Sequence, residues 1–302
     1  MIYVFGHLNP DSDTICSALI TAGWLNHLGK PATPFRLGDI TPETAFILQQ
    51  AGVSEPALLD CALDDKDVWL VDFTDAEQGP ESLLRSNIIG IIDHHRLGTV
   101  MTKNPPDVWI RSVGCCATIL WQILSFESVM PVSASQATLL LGALLSDTVA
   151  LTSSTTTAQD KAAAQALAEL SGLDYDVFVK GLLTAKTNIS GLSPARLLMR
   201  DAKSYRLNAL SVLVSQIEVE SVSSVEHMLA DLIAELTRQT AQGGFDFGVV
   251  AVTDIFKRNS TLYFSDNNPL QTSGLCLPGV ISRKKDILPW LTEAVAAPTG
   301  AK

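Results

Sequence analysis

Short apolar runs alternate with helical patterns through the first 186 residues of the chain. Runs with the length and flanking residues of buried strands lie at residues 2–5, 33–37, 68–71, 88–92 and 108–113. Amphipathic helical periodicity occurs at residues 13–28, 42–51, 115–126, 133–145, 158–171 and 174–186. Strands that alternate with helices predict βαβ units, and hence a mainly parallel sheet with helices on both faces.

The pattern changes after residue 186. Residues 187–191 have no periodicity and end in Gly191, which predicts a hinge linker. The following elements are a helix near 193–200, a strand at 209–219, a long helix at 222–241, strands at 246–255, 260–265 and 279–282, and a terminal helix after Lys284. We therefore expect an α/β domain at residues 1–186 and a smaller α/β domain, with some antiparallel pairing, at residues 192–302.

Charge divides the chain in the same region. The net charge is −11, which disfavours non-specific nucleic-acid binding. Residues 1–189 contain ten Lys and Arg against 21 Asp and Glu, whereas the rest contain 11 of each. An acidic first part suits metal cations, and a balanced second part is better placed to receive an anion.

Cysteine usage and hydropathy indicate in which cellular compartment the protein occurs. The five cysteines have no CxxC spacing, which favours free thiols in a reducing cytoplasm over disulfides or structural zinc. No apolar run approaches the roughly 20 residues that a membrane span needs. We expect a cytoplasmic protein without a membrane partner.

Polar side chains follow several of the apolar runs. They are His7, Asp11 and Asp13 after the first strand, Asp72 after the run 68–71, Asp93, His94 and His95 after the run 88–92, and Asp147 after the helical run 139–145. Any one of these residues alone is typical of a turn or a helix cap. Because ligands bind at the carboxyl edge of a parallel sheet, we expect the four groups to converge there.

The convergent groups are rich in carboxylates, with imidazoles and no thiolate, although Cys16 is near. That donor set favours Mn²⁺ or Mg²⁺, with some tolerance of Co²⁺. It also exceeds the needs of one ion. Two ions about 3.5–4 Å apart are the usual arrangement for hydrolysing phosphorus–oxygen bonds, and Asp72 is the natural bridge between them.

The second part of the chain supplies cationic groups. Ser282, Arg283 and Lys284 lie where a strand meets the terminal helix, and Lys203 is a further candidate. A helix N-terminus with a guanidinium and an ammonium group is an anion site, although basic clusters are also common on solvated surfaces. These residues are therefore candidates for an anion site.

Six segments together resemble a known family. GHLNPDSDT, LVD, IDHHR, LLSDT, RDAK and VISRKK, in this order and spacing, resemble the DHH phosphoesterase superfamily. The branch they resemble has a DHHA2 second domain and contains the manganese-dependent family II inorganic pyrophosphatases. The resemblance covers essentially the whole chain. It implies a DHH catalytic domain, a DHHA2 substrate-binding domain and a homodimer formed through the first domain.

The resemblance also implies a role for each candidate residue. One Mn²⁺ would be held by His7, Asp11 and Asp72, and a second by Asp13, Asp72, His94 and Asp147. Asp93 would orient the histidines. The substrate would be bound by Asn9, His95, Lys203, Ser282, Arg283 and Lys284.

The activity implied is hydrolysis of pyrophosphate, accompanied by Mg²⁺, to two phosphates in a dinuclear site between the two domains. A water activated between the two ions would attack one phosphorus. His95, Lys203, Arg283 and Lys284 would neutralise the transferring and leaving groups. The second domain would close over the first at residues 187–191.

One segment departs from the family pattern. Asp72 is followed by Phe73, Thr74 and Asp75, where these pyrophosphatases typically have His-Asn-Glu. A related hydrolase of short polyphosphate or of a nucleotide phosphoanhydride is therefore an alternative. A non-catalytic phosphate-sensing protein is a further alternative, but it predicts lost metal ligands, and all six are present.

Overall fold

The chain divides into two compact units, Met1–Lys186 and Thr187–Lys302. A computed structural model describes residues 1–128, 130–270 and 272–296, with the side chain of Lys284 outside the described part. Each unit has its own sheet and its own buried core. Within the described ranges, no helix is both long and apolar enough to cross a bilayer.

The first unit contains six strands and six α-helices among its described residues. In chain order they are β1 (Ile2–Phe5), α1 (Ser12–His27), β2 (Ala32–Arg36), α2 (Pro42–Ala51), β3 (Ala57–Leu58), β4 (Asp67–Val71), β5 (Asn87–Asp93), β6 (Asp107–Ile110), α3 (Cys116–Gln122), α4 (Ala134–Asp147), α5 (Ala158–Ser171) and α6 (Tyr175–Lys186). Two short 3₁₀ helices, Ala76–Gln78 and Leu83–Arg85, lie between β4 and β5.

The six strands form one parallel sheet in the order β3-β2-β1-β4-β5-β6. The order reverses between β1 and β4, because the chain first runs outward to β3 and then returns to the other side of β1. A crevice opens at the carboxyl ends of the strands at such a point, and ligands of α/β proteins bind in it. The fold therefore places the loops after β1 and β4 side by side.

Apolar side chains cover both faces of this sheet. Val4, Trp69 and Ile92 belong to a core shared with α1 and α4, both of which are almost wholly buried along their inner faces. Phe5 and Phe73 belong to a smaller core on the segment that carries the 3₁₀ helices. The prediction of a mainly parallel sheet flanked by helices is confirmed.

The second unit is a five-stranded mixed sheet with helices. Its elements are α7 (Pro194–Met199), β7 (Ala202–Leu207), β8 (Leu210–Val219), α8 (Ser223–Glu226), α9 (Leu229–Gln242), β9 (Phe247–Asp254), β10 (Asn259–Phe264), β11 (Leu275–Pro278) and α10 (Leu288–Ala296). The strand order is β11-β10-β9-β8-β7, with β8 and β9 parallel and the other pairs antiparallel. This is the smaller α/β unit that the pattern predicts.

Three details of the second unit differ from the predictions. The strand predicted at 279–282 is wrong, because Gly279 has a φ of +77° and ends β11 at Pro278. The helix predicted at 222–241 is interrupted at Met228, which leaves the helical region (φ −120°, ψ 8°). Strand β7 was missed, because its polar side chains hide the alternation that apolar residues show elsewhere.

Candidate metal centre

The loop after β1 brings His7 and Asp11 together, and Asp13 follows in the first turn of α1. A Cβ on Gly6 would collide with Thr14, so the absence of a side chain lets the strand end pack against the start of α1. Asp11 caps α1, since its Oδ1 accepts the Thr14 backbone N–H at 3.0 Å. His7 Nε2 lies 3.5 Å from Asp11 Oδ2. The structure therefore places the His7 and Asp11 side chains beside each other.

Asp72 is the centre of the cluster. It follows β4 directly, is 1% exposed and has a φ of +66°, in the left-handed region that aspartate adopts more readily than most residues. Its Oδ2 lies 3.3 Å from His7 Nε2 and accepts a 2.8 Å hydrogen bond from Thr14 Oγ1. Its Oδ1 lies 3.3 Å from His94 Nε2. The two oxygens of one carboxylate thus face two different imidazoles.

His94 is surrounded by three carboxylates. Besides Asp72, its Nε2 lies 3.7 Å from Asp13 Oδ2 and 3.7 Å from Asp147 Oδ2. Asp13 is held by Ser17 Oγ on one oxygen and by the Cys116 backbone N–H on the other, each at 2.7 Å. Asp147 is the last residue of α4. The fold therefore gathers residues from α1, β4, β5 and α4 around one point.

Both imidazoles are oriented for metal binding. His7 Nδ1 lies 2.8 Å from the Leu8 carbonyl oxygen, and His94 Nδ1 lies 3.2 Å from that of Val113. A carbonyl oxygen only accepts, so each Nδ1 carries the proton that it donates. Each Nε2 can then offer its lone pair to an ion between the carboxylates, as in most protein metal sites.

His95 has a different environment. Its Nδ1 lies 2.9 Å from Asp93 Oδ1, which also accepts the His95 backbone N–H at 3.0 Å. Asp93 is fully buried, whereas the side chain of His95 is partly exposed. Asp93 therefore fixes the orientation of His95.

Burial and the charges of neighbouring side chains shift the pKa values of the residues in this cluster. Burial raises the pKa of Asp13 to about 7, and the charge of Asp72 adds to this shift. Burial and the Asp13 charge likewise raise the pKa of Asp147 well above its ordinary value. Burial alone would lower the pKa of His94, but Asp72, Asp13 and Asp147 overcome it and raise the pKa to about 10. Without a cation, protons compensate part of the negative charge.

These residues fit divalent cations. His7, Asp11 and Asp72 offer donor atoms within 4.8 Å of one another, and Asp13, Asp72 and His94 share a second such group. Carboxylate oxygens with a minority of imidazole nitrogens match Mn²⁺ and other oxygen-seeking ions. A cation in each group would replace the protons that the cluster otherwise holds.

Two thiols of the centre were missed from the sequence. Cys116 joins the group of Asp13, Asp72 and His94, and Cys115 forms a group with Asp13 and Asp147. Both cysteines are fully buried. Their position shortly after β6, at the same edge of the sheet, is the signal that could have found them.

The cationic segments of the second unit are adjacent to each other. Arg283 Nη1 donates to the Asp201 carbonyl oxygen at 2.6 Å, and Nη2 donates to Asp201 Oδ1 at 2.8 Å. Lys203 follows on β7, and Ser282 Oγ accepts the Lys285 backbone N–H at 3.3 Å. The RDAK and SRKK segments therefore form one corner of this unit. The predicted role of the Lys284 side chain lies outside the described residues.

Asn9 completes the predicted set of site residues, and Phe73 begins the segment that departs from the family pattern. Asn9 is exposed and has a φ of +54°, a conformation that asparagine tolerates. Phe73 is 2% exposed, and its ring centroid lies 6.5 Å from that of Phe5 in the smaller core. The residue that departs from the family pattern is therefore a core residue of the sheet.

Comparisons with known proteins agree with this architecture. The chain matches the model of the DHH family, N-terminal domain, over residues 1–144 and that of the DHHA2 domain over residues 180–294. It is 34% identical to a probable manganese-dependent inorganic pyrophosphatase of Brevibacillus brevis, over 97% of this chain and 98% of that protein. It is 35% identical to the manganese-dependent inorganic pyrophosphatase of Methanocaldococcus jannaschii, over 97% of this chain and 99% of that protein.

A solved structure is similar over the same extent. The crystal structure of the Methanococcus jannaschii putative family II inorganic pyrophosphatase superimposes with a TM-score of 0.87, at 34% identity, over 98% of this chain and all of that one. The resemblance that the sequence motifs indicate is confirmed. The chain belongs to the DHH–DHHA2 family of manganese-dependent, family II inorganic pyrophosphatases.

Proposed function

We propose that this protein hydrolyses inorganic pyrophosphate to two phosphates at a centre of two Mn²⁺ ions. The observation that carries the proposal is the division of the Asp72 carboxylate, whose Oδ2 faces His7 and whose Oδ1 faces His94. One ion would be held by His7, Asp11 and Asp72. The other would be held by Asp13, Asp72, His94 and Asp147.

The ions would supply Lewis acidity and lower the pKa of the attacking water. The chain itself orients the donors. The backbone N–H of Cys116 and the hydroxyls of Ser17 and Thr14 hold the carboxylates, and backbone carbonyls fix both histidines. Such a fixed arrangement stabilises charge that develops in the transition state without further reorganisation.

The substrate would be bound by residues of both units. His95, fixed by Asp93, would donate to a phosphate oxygen. Arg283, Lys203 and Lys284 would neutralise the transferring and leaving phosphates, as cationic clamps do in phosphoryl transfer. Ser282 and Asn9 would add polar contacts, and residues 187–191 would form the hinge of the binding step.

Further parts of the proposal rest on the family resemblance. They are entry of pyrophosphate with Mg²⁺ and a homodimer formed through the first unit. The donor set supports replacement of Mn²⁺ by Co²⁺, while cysteine usage, net charge and hydropathy support a cytoplasmic location without nucleic-acid or membrane partners. Strand β6 supports the dimer, because it is the edge of the sheet and its Val108 is 45% exposed. Light scattering on the purified protein tests the dimer.

The decisive experiment measures phosphate release from pyrophosphate, tripolyphosphate and a dinucleoside polyphosphate, each with Mn²⁺ and with Mg²⁺. We expect rapid release from pyrophosphate with Mn²⁺. Turnover of tripolyphosphate without turnover of pyrophosphate would overturn the proposal. That result would favour a second candidate function, a short-chain polyphosphatase. Buried Phe73, which stands where the family typically has histidine, supports this candidate.

A further inference from the structure

The thiol of Cys116 lies among the donor atoms around His94. Its Sγ is 3.9 Å from Asp72 Oδ1 and 3.6 Å from the Ile92 carbonyl oxygen. The donor atoms of Asp13, Asp72, His94 and Cys116 all lie within 4.8 Å of one another. The side chain is fully buried, so its position is fixed by packing and is shielded from solvent.

The spacing of these atoms suits coordination. Bonds of about 2.1 Å to oxygen or nitrogen and about 2.3 Å to sulfur place neighbouring ligand atoms roughly 3–3.7 Å apart. The His94 Nε2 distances to Asp72 and Asp13 oxygens are 3.3 and 3.7 Å, and the Cys116 Sγ distance to Asp72 is 3.9 Å. The sulfur therefore lies close to ligand spacing from Asp72 and in the same donor group as Asp13 and His94.

The backbone of Cys116 is tied to the same centre. Its N–H donates to Asp13 Oδ2 at 2.7 Å, so the residue cannot move away without losing a carboxylate contact. Cys115 forms a separate group with Asp13 and Asp147. Cys61 and Cys276 are exposed. Cys116 is therefore the cysteine that shares a donor group with both Asp72 and His94.

We propose that Cys116 is a thiolate ligand of the ion held by Asp13, Asp72 and His94, and that it shifts this position toward softer ions such as Co²⁺ and Zn²⁺. The inference rests on the metal centre of the proposed function and adds a ligand to it. On coordination the S–H bond breaks, the proton leaves to solvent, and a sulfur electron pair forms the bond to the metal. Thiolates favour such ions over Mn²⁺, whereas carboxylates favour Mn²⁺.

The test adds Co²⁺ to the full-length protein after its metals have been removed with a chelator. A thiolate ligand gives an intense near-ultraviolet charge-transfer band, while weaker visible bands report that Co²⁺ is bound. We expect the charge-transfer band in the unaltered protein and in the control Cys276→Ser, and its loss in Cys116→Ser with the visible bands retained. We also expect Cys116→Ser to lower the affinity for Co²⁺ relative to Mn²⁺ by about tenfold.

Visible bands without a charge-transfer band in the unaltered protein would overturn the proposal. X-ray absorption of the zinc-loaded unaltered protein gives the same answer even if Cys116→Ser fails to fold. A sulfur neighbour at about 2.3 Å supports the thiolate ligand, and a shell of oxygen and nitrogen alone excludes it. Pyrophosphate hydrolysis with Mn²⁺ is measured separately, so hydrolysis without a sulfur ligand rejects this inference and leaves the proposed function intact.

Discussion

Asp72 combines three properties that single residues rarely share. It is almost fully buried, its backbone is left-handed, and its two oxygens face different histidines. Hydrogen bonds and opposite charges hold its pKa well below the ordinary value, against a burial effect that alone would raise it. A carboxylate that stays ionised in such a position is suited to a cation on each side.

Replacing this carboxylate should abolish the centre. We expect Asp72→Asn to lose activity on every phosphate substrate and to bind Mn²⁺ far more weakly, since an amide carries no charge and coordinates poorly through one side. Phosphate release and equilibrium dialysis measure the two effects. Asp60→Asn, at an exposed carboxylate of the same unit, is the control and should change neither. Retained activity in Asp72→Asn would mean that the bridge is misassigned.

Phe73 stands where members of the family typically have histidine, and in this chain it is buried. Its ring lies in the smaller core of the sheet, so we expect Phe73→His to lower the free energy of unfolding by about 2–4 kcal/mol through lost apolar contacts and an unpaired buried nitrogen. Phe126→His is the control, because Phe126 is 75% exposed and should tolerate the change. Denaturant unfolding measures both. A variant that gains activity without losing stability would show that position 73 faces the substrate.

The protons of the metal-free cluster make Mn²⁺ binding depend on pH. His94 has a pKa of about 10 without metal, so it is protonated at neutral pH, and an ion can use its Nε2 only after that proton leaves. Binding therefore tightens as the pH rises, by about tenfold per unit for each proton released. Electron paramagnetic resonance of free Mn²⁺ at pH 6, 7 and 8 checks this, and an affinity that is constant over this range would contradict it.

At the scale of elements, Asp160 links α5 to the loop that precedes α3. Its Oδ2 accepts the Gly114 backbone N–H at 2.9 Å and the Thr157 backbone N–H at 2.7 Å, and its Oδ1 accepts the Thr118 hydroxyl at 2.6 Å. The carboxylate is fully buried. Since the backbone N–H of Cys116, the first residue of α3, holds Asp13, the capping box of α5 supports the metal centre through α3.

We expect Asp160→Ala to lower the free energy of unfolding by about 3 kcal/mol, because several buried donors lose a charged partner. Mn²⁺ affinity should fall as well. Ser133→Ala is the matched control, since Ser133 closes the capping box of α4 at an exposed position, and its loss should cost about 1 kcal/mol and leave Mn²⁺ affinity unchanged. Denaturant unfolding and Mn²⁺ titration of both variants measure the difference. Equal effects of the two variants on Mn²⁺ binding would contradict a special role for Asp160.

Most elements of the first unit were predictable because their apolar runs are buried, whereas the two-residue exposed strand β3 was not predicted. Residues 2–5 and 68–71 are continuous apolar runs because both faces of the sheet are covered, and such runs predict strands. The polar residues that follow these runs are therefore easy to recognise as candidate ligands. The break at Met228 was not predictable, since Val225, Leu232 and Leu236 face the same core on both sides of it and keep the helical spacing. Cys116 follows β6 at the same edge of the sheet, but it was missed because the carboxylates and imidazoles alone already account for two ions.

At the scale of the whole molecule, the proposed metal ligands and the cationic residues proposed to bind phosphate belong to different units. Every proposed metal ligand lies at residues 7–147, and the cationic residues lie at 203–284. We expect Lys203→Ala to raise the KM for pyrophosphate by about tenfold, because the substrate loses one charge-assisted contact. The affinity for Mn²⁺ should remain unchanged. Steady-state kinetics and Mn²⁺ titration check it. Lost Mn²⁺ binding in this variant would contradict the division.

The place of Asp147 at the end of α4 has a consequence for biosynthesis. The first proposed ligand is His7, so a nascent chain carries an incomplete centre until α4 has left the ribosome and folded. Until then only the group of His7, Asp11 and Asp72 has all of its proposed ligands. We therefore expect the site of Asp13, Asp72, His94 and Asp147 to take up its ion after the site of His7, Asp11 and Asp72.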